Sequence, residues 1–148
     1  MIYQNAELHN VVELYDPTDG IGKELCRIPR DLRAQLNDSA KKNAVQGTGC
    51  EVRFNLQGEQ AVLTLQMMER PAIVEIYSGA FLTGWQVVTT EPTEVVVRRP
   101  DRLSRLVTLA EDREMAFDPA LSRVMLPWRP PVRLLGLEGE ISPPSQGQ

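Results

Sequence analysis

Histidine and cysteine are scarce in this chain of 148 residues, and several kinds of active site need them. His9 is the only histidine, so any Ser–His catalytic pair would have to use it. A lone imidazole also falls short of the three or four ligands of a metal site. We therefore predict no catalytic residue, no metal site and no cofactor. Cys26 and Cys50 are predicted to be buried thiols and not a disulfide, since no export signal is present.

Long hydrophobic runs and clusters of basic residues are also missing. No run approaches the ~18 apolar residues of a membrane helix, and Met1–Leu14 lacks the basic start and apolar core of a signal peptide. We predict no membrane partner and a cytoplasmic location. Sixteen basic and twenty acidic residues give a net charge of −4, and only Lys41–Lys42 is rich in lysine. The sequence therefore argues against nucleic acid as a partner.

Motifs for nucleophilic, carboxylate or phosphate chemistry are absent as well. No serine has the strand–Gly-x-Ser-x-Gly–helix setting of a hydrolase nucleophile. The carboxylates of Glu111, Asp112 and Glu114 lie in a mixed-charge stretch that is typical of a solvated surface. Gly47–Gly49 lacks the lysine and the spacing of a phosphate-binding loop. A small enzyme with His9 as its general base is left only as a third hypothesis.

What the chain has is alternation of polar and apolar residues with a period of two, the pattern of half-buried strands. The clearest case is Cys50–Leu56, in which every second residue is apolar. Ala61–Met67 resumes the alternation after Gln57–Gln60, which contains a glycine. A four-residue connection of this kind joins antiparallel strands, so we predict a hairpin here.

Shorter strand-like runs lie on both sides of this region and are separated by glycine and proline. They are Leu8–Leu14, Glu24–Ile28, Ala72–Tyr77, Trp85–Thr89, Thr93–Arg98, Leu121–Leu126 and Val132–Leu137. Many short strands with this punctuation predict a sandwich or barrel. A parallel α/β fold would need long crossover helices, for which there is no room.

Two segments have helical features. The first begins at Pro29, carries Asp31 near its start and Lys41–Lys42 near its end, and stops before Gly47. The second, weaker candidate is Asp101–Ala110, where valine and threonine make an extended conformation nearly as plausible. We therefore expect one or two short helices beside the strands.

Three aromatic residues are the candidate ligand-binding residues. Tyr77 and Trp85 flank a possible loop between Gly79 and Gly84, and Trp128 follows a proline. Exposed aromatic rings with polar neighbours can serve as platforms for sugars or for a protein partner. The alternative is ordinary packing in the core or at the edge of the sandwich.

The last eight residues have the composition of a linker. Pro143–Pro144 stops regular structure, and the small polar residues after it have nothing apolar to bury. We predict a β-sandwich accessory domain over residues 1–140 and the start of an interdomain linker over residues 141–148, with a catalytic domain absent.

Four segments carry a resemblance to a known family. They are the Arg-Ile-Pro helix start within Cys26–Asn37, the Gly-x-Glu-Val-Arg-Phe strand within Gly47–Asn55, Ala61–Leu65, and the final strand with its prolyl pair, Val132–Pro144. Together they resemble the N-terminal domain of bacterial two-domain SGNH/GDSL-type hydrolases, which are similar in layout to carbohydrate esterases.

The resemblance implies a mainly β fold, a jelly-roll-like antiparallel β-sandwich. It implies a non-catalytic accessory domain whose partner is a C-terminal catalytic domain of the same protein, an esterase for acylated carbohydrate or a similar ester. The family's nucleophilic serine lies beyond the linker, so no catalytic residue is carried over. A face left uncovered by that partner is expected to be apolar and to favour self-association. The alternative is a free-standing carbohydrate-binding module.

Overall fold

The computed structural model describes residues 1–148 as ten strands and three helices. The strands are β1 (Ile2–Tyr3), β2 (Ala6–His9), β3 (Glu13–Tyr15), β4 (Lys23–Cys26), β5 (Glu51–Met67), β6 (Ala72–Ser78), β7 (Phe81–Val88), β8 (Thr93–Arg98), β9 (Leu121–Met125) and β10 (Val132–Ser142). The helices are α1 (Arg30–Ala34), α2 (Asp38–Ala44) and α3 (Leu103–Asp112). All strand pairs are antiparallel, which confirms the predicted mainly β fold.

The predicted hairpin is wrong, because a single strand, β5, occupies its place. Residues 57–60 stay extended, so Glu51–Met67 is one strand of 17 residues. Buried hydrophobic residues fall on even positions up to Phe54 and on odd positions from Ala61 onward. This change of phase looks like a turn in the sequence. In the structure it marks the place where a continuous strand passes from one layer of the sandwich to the other.

The two layers share β5 and pack face to face. The first half of β5 pairs with β2 and β9, and β9 continues to β6 and β7. The second half pairs with β8 and β10, and β10 continues to β4 and β3. We call these the first and the second layer. Their facing surfaces enclose one hydrophobic core, in which Phe54, Leu63, Val74 and Val95 are fully buried. The result is a β-sandwich.

Local backbone chemistry splits two of the predicted elements. The run Leu8–Leu14 is interrupted because Asn10 has a φ of +58° and donates from Nδ2 to the Gly49 carbonyl at 2.6 Å. The predicted helix after Pro29 is two helices. The first ends at Ala34, and Asn37 caps the second, since its side chain accepts from the Ala40 amide at 2.9 Å. The weaker helical candidate is confirmed as α3, so there are three short helices. None of them has the length and apolar composition needed to cross a bilayer.

The C-terminal segment folds back onto the first layer. Ile141 and Ser142, within the predicted linker, belong to β10 and pair with Leu56 and Asn55. Asn55 Nδ2 also donates to the Pro143 carbonyl at 3.2 Å and to Gln148 Oε1 at 2.7 Å. The chain therefore makes specific contacts with the sandwich as far as Gln148.

Gly139 gives a test of the junction between the layers. Its φ is +132°, and a Cβ there would lie 2.9 Å from the Gln60 carbonyl oxygen. We expect Gly139→Ala to lower the free energy of unfolding in urea by about 2 kcal/mol or more. Gly58→Ala is the matched control on the partner strand, because its Cβ would meet nothing closer than 3.6 Å. Equal stability of the two variants would contradict this account of the junction.

Candidate functional site

The outer surface of the first layer carries most of the sandwich's buried charge. Because directly paired residues of neighbouring strands share a face, the register places two rows of side chains across this surface. One row is Glu7, Arg53, Arg123 and Tyr77, and the other is His9, Glu51, Met125, Glu75 and Trp85. We call these nine residues the charged face.

Glu51 is at the centre of the charged face. Its carboxylate accepts two hydrogen bonds from Arg123, from Nε at 2.8 Å and from Nη2 at 2.7 Å. Arg53 Nε donates to the same carboxylate at 2.8 Å. Burial by itself would raise the pKa of Glu51, but the hydrogen bonds from the two guanidinium groups outweigh it and lower the pKa to about 2. The carboxylate is therefore ionised throughout the physiological pH range.

An aromatic ring closes over these charges. The Phe117 ring lies 3.9 Å from the Arg123 guanidinium carbon and 5.4 Å from that of Arg53, measured to the ring centroid. Arg123 Nη1 donates to the Gly79 carbonyl at 2.9 Å. The cluster is thus desolvated and largely satisfied, which holds the segment before β9 against the sheet.

The only histidine lies at the margin of this cluster. His9 Nδ1 is 3.6 Å from Glu7 Oε1, and Arg53 Nη1 is 3.9 Å from Glu7 Oε2. No serine hydroxyl or cysteine thiol forms a hydrogen bond with His9. The buried Ser78 hydroxyl donates instead to the Pro119 carbonyl, so it is not presented to a base.

The predicted aromatic residues separate into a pair and a single residue. Tyr77 and Trp85 both lie on the charged face, where the Tyr77 hydroxyl donates to Glu75 Oε2 at 2.8 Å. They do not flank a loop, because β7 begins at Phe81 and Trp85 is inside that strand. Trp128 lies between β9 and β10, where its carbonyl accepts from the Thr48 hydroxyl at 3.2 Å. Trp85 is 62% exposed and Trp128 68% exposed.

Exposed apolar side chains surround Trp85 on the β6–β7 hairpin. Ile73 pairs with Val87 on the same face, and Leu82 of β7 pairs with Tyr77 of β6. All of these aliphatic side chains are about half exposed. We call Ile73, Leu82, Trp85 and Val87 the apolar patch. It continues the charged face toward the free edge of β7.

The charged cluster itself was not among the candidate residues. Alternation in Cys50–Leu56 does place Glu51 and Arg53 on the surface away from the core. The sequence gives no sign that Arg123, 72 positions after Glu51, is its partner, or that Phe117 covers them. Two charged residues alternating with large apolar ones, in a strand that is otherwise buried, were the only available signal.

The cysteines and the acidic residues form no reactive or metal-binding group. Cys26 and Cys50 are free and buried, as predicted. Burial raises the pKa of Cys50 to about 11, so its thiol is protonated at neutral pH. No three side chains of the metal-binding types lie close enough together to hold an ion.

No protein-family model matches the chain, and no curated protein sequence is significantly similar to it. A solved structure with a similar fold is a salicylyl-acyltransferase from a tetracycline biosynthetic pathway, with a TM-score of 0.68 and 14% sequence identity. The superposition covers 97% of this chain and 40% of the acyltransferase chain. This similarity establishes the β-sandwich fold, and this chain spans less than half the length of that protein.

Glu51→Gln tests the central ion pair. At neutral pH we expect the free energy of unfolding to fall by about 3 kcal/mol, because Arg123 and Arg53 lose a buried partner. The pKa of Glu51 is about 2 in the folded protein and 4.5 as the reference, so the ionised form stabilises the fold above pH 4.5. The difference between wild type and variant should shrink as the pH falls from 4.5 toward 2. Urea titrations across this range measure it.

Glu94→Gln is the matched control, since Glu94 is exposed on β8. It should change the free energy of unfolding by less than about 0.5 kcal/mol at every pH. A Glu51→Gln effect that does not vary between neutral and acidic pH would contradict the role assigned to the carboxylate.

Proposed function

We propose that residues 1–148 form the non-catalytic accessory domain of a larger enzyme of acyl-ester chemistry, an SGNH/GDSL-type hydrolase by sequence resemblance. The observation that carries this proposal is the superposition on the acyltransferase, which takes in nearly all of this chain and 40% of the other. The fold that takes up nearly all of this chain is thus one part of a longer polypeptide there. An esterase and an acyltransferase share the acyl-transfer step and differ in the acceptor, which is water for the esterase.

The charged face and its apolar patch are the surface that we assign to the partner domain. Trp85 with the aliphatic side chains around it is the kind of exposed cluster that marks a protein interface. Gln148 lies beside this surface, since it bonds to Asn55 and donates from Nε2 to Asp118 Oδ2 at 3.0 Å. A domain that follows Gln148 would begin next to the face that it covers. The same patch would bring two copies together where no partner domain covers it.

An ester-hydrolysis assay tests the accessory role. The complete open reading frame and residues 1–148 alone are expressed and compared on p-nitrophenyl acetate. We expect hydrolysis by the longer protein and none by residues 1–148, since His9 is paired with Glu7 and has no nucleophile. A stop codon directly after Gln148 would refute the proposal. Hydrolysis by residues 1–148 that is lost in His9→Ala would favour the third hypothesis instead.

A second candidate function is carbohydrate binding, in which this domain binds either an acylated-sugar substrate or a free sugar. The observation that favours it is the position of Trp85, an exposed indole beside the Glu75 carboxylate and on the same face as Tyr77. Sugars stack their apolar side on such rings and hydrogen-bond to neighbouring carboxylates.

Tryptophan fluorescence tests the sugar hypothesis, because the chain has only two tryptophans. In Trp128→Phe the remaining indole is Trp85, and we expect its emission to shift during titration with acetylated or plain oligosaccharides. The reciprocal variant, Trp85→Phe, should show no shift while keeping its fold. Calorimetry should detect the same loss of binding in Trp85→Ala. A response that persists without Trp85, or no response in either variant, excludes this platform.

A further inference from the structure

The edge strands of the two layers differ in how well they are protected. The first layer ends at β1 and β7, and the second ends at β3 and β8. Proteins block exposed strand edges with very short strands, charged side chains or proline. β1 has two residues, and β3 has three, of which one is Glu13. β8 carries Glu94 and Arg98, and the Gln86 side chain donates to its Glu94 carbonyl. Three of the four edges are therefore protected.

The fourth edge strand, β7, has none of these protections. It runs for eight residues, Phe81–Val88, and contains no charged residue and no proline. Its backbone pairs only with β6, and no other part of the chain forms a hydrogen bond with its N–H or C=O groups. Because alternate residues of an antiparallel strand direct both groups to the same side, the free edge presents a row of unpaired donors and acceptors. These groups are spaced to pair with another extended strand.

The side chains beside this edge are apolar and exposed. On the outer surface of β7, Leu82 is 55% exposed, Trp85 is 62% exposed and Val87 is 45% exposed. A strand that added to β7 would place its own outward side chains next to these three. The edge therefore offers side-chain contacts as well as backbone hydrogen bonds, which is the combination used in recognition by strand addition.

The second half of β7 is suited to pairing with a copy of itself. Thr83 has no partner on β6 and forms a bulge, whereas Gly84–Val88 is paired residue by residue. The midpoint of this regular stretch is Gln86. A two-fold axis through Gln86, perpendicular to the sheet, places Trp85 of one copy opposite Val87 of the other. An aromatic ring opposite a β-branched side chain is a stabilising cross-strand pair.

We propose that two copies of this chain associate by antiparallel pairing of their β7 edges, with Trp85 of each copy opposite Val87 of the other. A two-fold contact brings identical surfaces together, so charged residues near the axis would face like charges. β7 has no charged residue, and this penalty is absent. The pairing joins the two first layers into one continuous sheet.

Edge pairing differs from the packing of two apolar patches against each other. It extends the first layer within its own plane and leaves the outer surface of the sheet open. It is therefore compatible with a domain that covers the charged face, and it does not rest on the accessory-domain proposal. Packing of patch on patch would instead bury the outer surfaces of both β6 and β7.

Sedimentation equilibrium of residues 1–148 tests the association over roughly 5 to 500 μM protein, where we expect a monomer–dimer equilibrium. Val87→Glu places a carboxylate on the free edge, opposite the indole of the second copy. The dissociation constant should rise at least about tenfold. Circular dichroism should show an unchanged fold, because the side chain is exposed.

Ile73→Glu is the matched control. Ile73 pairs directly with Val87 and is similarly exposed, at 51%, but it lies on β6, one strand in from the edge. We expect its dissociation constant to stay within about threefold of the wild-type value.

Nuclear magnetic resonance tests the register without any substitution. Equal amounts of ¹³C-labelled and unlabelled protein are mixed, and an isotope filter selects contacts between copies. We expect nuclear Overhauser effects from the Val87 methyl groups of one copy to the Trp85 indole of the other.

Each measurement has a result that would overturn the proposal. Sedimentation as a monomer at every concentration would show that the β7 edge does not pair. Equal weakening by Val87→Glu and Ile73→Glu would show that the copies meet through their outer surfaces. A dimer without contacts between Trp85 and Val87 of different copies would exclude the proposed pairing.

Discussion

The hydrogen bonding of β5 on both of its edges is the constraint from which the rest of the molecule follows. Its first half is held by β2 and β9 and its second half by β8 and β10, so neither layer forms without it. Between the halves, Arg99 Nη2 donates to the carbonyls of three consecutive residues, Leu56, Gln57 and Gly58, at 3.0–3.3 Å. A single cation thus adds hydrogen bonds to the backbone at the place where the strand changes layer.

The strand β5 also determines where the charged face lies. Because the core occupies the even positions of its first half, Glu51 and Arg53 must lie on the other surface of the same strand. Their burial under Phe117 therefore comes from an added segment, residues 113–120, and not from the sandwich itself. The ion pairs couple that segment to the sheet, so the position of the segment and the shape of the charged face change together.

Much of the fold was predictable, since a period of two identifies strands from a handful of neighbouring residues. The bounds of β8 were predicted in full, and β6 and β9 were within one residue. The hairpin was wrong because a one-residue change of phase has the same sequence signature as a turn. Only tertiary pairing decides between the two. The candidate site was less predictable, because Glu51 and Arg123 meet through a register that neither strand encodes alone. Tyr77 and Trp85 were predicted to flank a loop, whereas they lie on one face of two paired strands.

The buried charged groups of the molecule are matched by partners inside the fold. At the charged face the Glu51 carboxylate is matched by Arg53 and Arg123, so a small ligand would have to displace strong internal hydrogen bonds. Arg133 is matched in a similar way, since its guanidinium lies 2.7 Å from the Asp19 carboxylate and 3.5 Å from that of Glu24. Free energy of binding comes from groups that the fold leaves unsatisfied. By this criterion the ion pairs of the charged face stabilise the fold and are not a site for a small ligand.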